Sequence, residues 1–111
     1  MNDPDFGNMT FKEFKRYVFI NLGLQIFVSK DDYMHQLPHL HIDSGQREKF
    51  VLDLLEFEFL TPLPDNKNLR KKLYKIKNIL ETNSNLTEKI ISLFCKYNST
   101  LGYCKNRNSD A

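Results

Sequence analysis

Tryptophan is missing from this 111-residue chain, and glycine, proline, histidine and cysteine are scarce, at four, four, three and two residues. No internal repeat and no low-complexity linker is present. Two cysteines, Cys95 and Cys104, are too few for a disulfide scaffold, and their spacing fits no zinc pattern. No apolar run approaches the ~20 residues a membrane-crossing helix needs. There is no phosphate-binding glycine loop, no dinucleotide fingerprint, no zinc-protease helix motif and no nucleophile elbow. The opening MNDPDFGNMT is acidic and polar, unlike a secretory signal. That predicts a reducing, cytoplasmic setting with both thiols free and the sequons at Asn8, Asn85 and Asn98 without meaning.

What is present is a chain 41% hydrophobic, with nine Phe and five Tyr, so it is too apolar to stay disordered. Its length fits one domain with a real core. The net charge of +2 is weak by itself, so the distribution of charge decides more than the total.

Thr10 and Glu13 have capping-box spacing. Phe11, Phe14, Tyr17 and Val18 recur at helical intervals, and Gly23 suits a left-handed stop, which predicts a helix over 11–22. Leu24, Ile26 and Val28 then alternate, as a strand does. A polar loop, 30–37, leads to His39-Leu40-His41-Ile42-Asp43, where Leu40 and Ile42 face the core and His39, His41 and Asp43 share the other face. Ser44-Gly45 signals a hairpin turn. In the returning strand Phe50, Leu52 and Leu54 share a face. The phase then slips by one residue to Leu55, Phe57 and Phe59, which predicts a bulge or a further short strand. Leu69, Leu73, Ile76 and Leu80 form one helical stripe, and Leu86, Ile90, Leu93, Phe94 and Tyr97 another. Asn83-Ser84-Asn85 separates them, and Asn85 with Glu88 offers a second capping box. The expected fold class is α+β: an N-terminal helix, an antiparallel sheet of three to four strands, and a C-terminal helical hairpin packed on it. The expected organisation is a flexible lead over 1–9, one domain over 10–98, and a fraying polar tail over 99–111.

His35-Gln36-Leu37-Pro38-His39-Leu40-His41-Ile42, followed by the turn Asp43-Ser44-Gly45, the strand Glu48–Asp53, a basic helix and an amphipathic helix, resembles the small prokaryotic family called domain of unknown function 4160. The resemblance spans Ile26 to Tyr97. It departs at Leu37, where the family commonly has a second proline, and at the N-terminal helix, which is an addition. The family has no settled activity. Members look like small proteins encoded near toxin–antitoxin and defence genes.

Four features are candidates for function. The first is the histidine cluster. His39 and His41 share a strand face, and His35, with Asp31, Asp32 and Asp43, could join them to hold a metal or work as acid and base. Short His-x-His patterns are common and no further ligand or nucleophile is specified, so the plain structural role outranks metal binding, and metal binding outranks catalysis. The second feature is the basic run Lys67, Arg70, Lys71, Lys72, Lys75 and Lys77. These are six cations in eleven residues with no acid between them, suited to nucleic acid or an acidic partner. The third is the acidic group Asp53, Glu56 and Glu58, which could meet that helix in a second copy. The fourth is Leu55, Phe57 and Phe59, the expected dimer interface. No cofactor is called for.

Small size, no catalytic constellation and a charge-segregated surface lead to a non-enzymatic, homodimeric accessory or regulatory protein binding a larger protein or nucleoprotein. The resemblance alone implies its setting, a bacterial defence system of CRISPR-effector or toxin–antitoxin type. The alternatives are a ribonuclease-like toxin using His35, His39 and His41, and a metal-binding regulator using the same residues.

Overall fold

The computed structural model describes residues 4–30 and 36–109. Its elements are helix α1 (Phe11–Leu22), strands β1 (Gln25–Phe27), β2 (His39–Asp43) and β3 (Lys49–Asp53), and helices α2 (Lys67–Thr82), α3 (Ser84–Tyr97) and α4 (Gly102–Ser109). The sheet is antiparallel in the order β1-β2-β3. The α+β class and its element order follow the expectation. The polar loop expected over 30–37 lies largely outside the described residues, as do His35, Asp31 and Asp32.

Local chemistry sets α1 at both ends. The Thr10 hydroxyl accepts from the Glu13 N–H at 3.1 Å, and the Glu13 carboxylate accepts from the Thr10 N–H at 3.0 Å. Gly23 ends the helix at φ 68°, a conformation that costs glycine least. Between them Phe14, Val18 and Leu22 are buried against the sheet's inner face. That face is Ile26, Leu40, Ile42, Phe50 and Leu52, and Leu73, Ile76, Leu80, Leu86 and Ile90 of the helical hairpin complete the same core. Burying one such side chain contributes about 1.5–3 kcal/mol.

Four expectations are corrected. The lead is not free of structure: Phe6, in a 3₁₀ turn Phe6–Asn8, is buried edge-on against Phe14 and Tyr17. The phase slip after Leu54 is neither a bulge nor a full further strand but a reversal of the chain that returns to a single bridge. β3 stops at Asp53, a turn follows, Phe57 takes a left-handed φ of 58°, and Phe59 comes back to bridge Leu52. The second capping box does not form. Asn83 alone separates α2 from α3, its amide donates to the Ile79 carbonyl, and Glu88 instead pairs with Arg107. The tail does not fray after Asn98. Residues 102–109 are helical, and Cys95 and Cys104 are joined by a disulfide, so the thiols are not free.

Candidate functional site

Two of the sequence candidates become well-defined surfaces: the histidine face of β2 and the basic face of α2.

On β2, period-2 alternation places His39 and His41 on one side and Leu40 and Ile42 in the core. His39 is fully buried. Its Nδ1 lies 2.7 Å from the Leu37 carbonyl oxygen, which can only accept, so this nitrogen carries the proton and donates. The Pro38 carbonyl accepts from the Leu54 N–H at 3.0 Å, locking the start of β2 to the end of β3. The His39 ring meets Phe94 of α3 at 5.1 Å between centroids and His41 at 4.9 Å, both edge-on. His41 in turn stacks on Phe27 of β1, with centroids 5.0 Å apart and planes 8° apart. Residues 27 and 41 are register partners, so cross-strand pairing sets this stack. The histidines therefore link α3, β2 and β1 through ring contacts. Among the described residues no group of three His, Cys, Asp or Glu is placed to hold a metal ion.

Asp53 is the register partner of His39 and is also buried. Its carboxylate accepts from the backbone N–H groups of Leu55 and Glu56, closing the turn after β3. Asp53 is thus a turn-forming residue, whereas Glu56 and Glu58 are exposed.

On α2, burial of Leu73, Ile76, Ile79 and Leu80 turns the opposite face outward. Lys67, Lys71 and Lys75 are exposed at intervals of four, with Tyr74, 40% exposed, beside them. Lys67, Lys71 and Tyr74 border a shallow hollow of about 190 Å³. Lys71, Tyr74, Lys75 and Asn78 border another of about 610 Å³ that reaches Pro4 and Phe6. Tyr74 is held edge-on by Phe59 at 5.9 Å. Among the described residues, no ion pair engages any of the six cations of this run. Arg70 differs from the rest: its guanidinium donates to the Pro64 and Asp65 carbonyls at 3.2 and 3.1 Å, fastening the loop before α2. Lys72 and Lys77 are half-buried, Lys77 lying over the Tyr74 ring.

Leu55, Phe57 and Phe59 do not share a strand face. Leu55 is exposed in the turn, while Phe57 and Phe59 are partly buried against the core. No helix among the described residues is long and apolar enough to cross a membrane.

Exposed tyrosine among exposed lysines had a sequence signal that the charge count passed over: Tyr74 falls on the lysine stripe at i+3 from Lys71. The disulfide had none, because it depends on α4 folding back along α3. Compared with protein-family models, with curated proteins and with solved structures, the chain matches none.

Proposed function

We propose that this protein is a non-enzymatic binding module whose α2 face docks on the phosphate backbone of a nucleoprotein partner. The observation that carries the reading is the stripe Lys67, Lys71 and Lys75, exposed, outside any ion pair of the described residues, and flanked by the exposed ring of Tyr74. Lysines that no carboxylate neutralises can each replace a counterion on a phosphate chain. An exposed tyrosine edge-locked by Phe59 offers a stacking surface to a base. The histidines serve this reading as packing groups.

A bacterial defence setting and kinship with the domain-of-unknown-function 4160 family belong to the same proposal, supported by the His35 to Ile42 pattern. So does a homodimer through Leu55, Phe57 and Phe59, supported by exposed Leu55 and Leu60 near the reversal after β3.

The test is capture of the tagged protein from cells that express it, with and without nuclease, joined to light scattering of the purified protein. A large protein partner whose retention is weakened by nuclease and abolished in Lys71→Glu/Lys75→Glu supports the reading. Retention unaffected by that double reversal sinks it. Loss of a nuclease activity in His41→Ala, with the fold intact, would favour the toxin instead.

A further inference from the structure

Among the described residues, β1 is an edge strand, with β2 on one side and no strand on the other. A groove runs beside it, between β1 and the outer face of α1. One stretch, about 410 Å³, is lined by Lys15, Arg16, Phe19 and all three β1 residues. The next, about 390 Å³, shares Lys15 and Phe27 and continues past Lys12 to Tyr97. Lining by three successive strand residues, Gln25 and Phe27 exposed and Ile26 inward, means that the groove follows the strand's edge and not one of its faces.

The groove has both apolar and electrostatic character. Phe19 is 58% exposed and Phe27 36%. Phe27 cannot turn away freely, because His41 stacks on its other face. Lys12, Lys15 and Arg16 are exposed along the rim, and no carboxylate lines either stretch.

We propose that this groove binds an acidic peptide segment in extended conformation, added as a fourth strand beside β1. A strand edge presents N–H and C=O groups together, which another peptide backbone matches and a phosphate chain, having acceptors alone, does not. Positive charge along the rim selects carboxylates. It also disfavours a second copy, since two-fold pairing of two β1 edges would bring Lys15 and Arg16 of one copy near those of the other. The inference is separate from the α2 reading, as the two surfaces share no residue. It also gives His41 a task, the orientation of Phe27.

The probe is a fluorescein-labelled seven-residue peptide of alternating glutamate and valine, followed by anisotropy. N–H groups of a strand point alternately to its two sides. Methylating the backbone nitrogens of one alternate set should therefore abolish binding, while methylating the other set leaves it. Lys15→Glu/Arg16→Glu, and independently the milder Phe19→Ala at a solvent-exposed site, should weaken binding about tenfold or more. Lys71→Glu/Lys75→Glu should leave it unchanged. Absence of saturable binding, equal tolerance of both methylation patterns, or failure of the Lys71/Lys75 variant to bind overturns the proposal. Two further results do so by giving the groove another occupant. One is a dimer, seen by light scattering, that Lys15→Glu/Arg16→Glu dissolves. The other is displacement of the peptide by an oligouridylate whose own binding requires Lys15.

Discussion

At the scale of single residues, Asp53 shows how misleading a charge count can be. Grouped by sign it belongs with Glu56 and Glu58, yet its carboxylate is buried and closes a turn. Asp53→Ala leaves two backbone N–H groups without their acceptor and should cost about 1–3 kcal/mol in urea unfolding. His39 follows the same logic. His39→Ala removes a buried ring and the donor to the Leu37 carbonyl, so it should lower stability by roughly 3 kcal/mol. Loss of function in that variant is therefore no measure of chemistry, whereas His41, partly exposed, is the cleaner probe. Arg47 offers an opposite case. It is exposed with φ 69°, and Arg47→Gly should stabilise by about 0.5–1 kcal/mol, relief of the left-handed cost outweighing the freer unfolded chain.

At the scale of elements, α1 and α4 are held by different means. The capping box draws the Glu13 carboxyl below its ordinary value of 4.5, chiefly through the Thr10 N–H and then the Thr10 hydroxyl. Because the folded value is the lower one, this contribution is present above pH 4.5 and is lost as pH falls through the folded value. Thr10→Ala, which keeps the N–H but loses the hydroxyl, should cost about 1 kcal/mol at neutral pH, whereas Glu13→Gln, which removes the titrating group, should flatten the acid limb of a stability–pH profile. α4, with eight residues, is too short to persist alone. It is held by the Cys95–Cys104 bond, by buried Leu101, and by Arg107 reaching Glu88 and Ser92. Reduction should lower stability by about 2–3 kcal/mol, the entropy of closing a short loop, and raise amide exchange over 102–109 well beyond the rise in β2. Protection of 102–109 unchanged by reductant would show that packing alone holds α4.

For the whole molecule, the two proposed surfaces differ in their response to salt. Binding of single-stranded nucleic acid by α2 should weaken linearly on a log–log plot. Lys71→Glu/Lys75→Glu should reduce the slope by about 1.4, at ~0.7 for each phosphate that the variant no longer neutralises. Peptide capture at β1 should keep a salt-resistant part, since backbone pairing and packing on Phe19 and Phe27 are not screened. A titration of both ligands against sodium chloride separates the surfaces.

Local pattern alone determined α1 with both its ends, the inward faces of β2 and β3, and the stripe of α2. Each rests on residues within one or two turns or on alternation along one strand, and such short-range chemistry is written in sequence order. The basic run was legible for the same reason, although which of its cations stay available was not: Arg70 is taken up by the loop at Pro64 and Asp65, an interaction that exists only once that loop folds over. Tertiary structure decided the rest. Burial of His39 needed Phe94, 55 positions away, and the His41 stack needed β1 beside β2. The reversal at Phe57 needed Leu52 as partner, and the disulfide needed α4 to fold back on α3. Periodicity reports which side of an element is apolar. It does not report which distant element covers that side, and here the covering elements fixed the roles of the histidines, Asp53 and both cysteines.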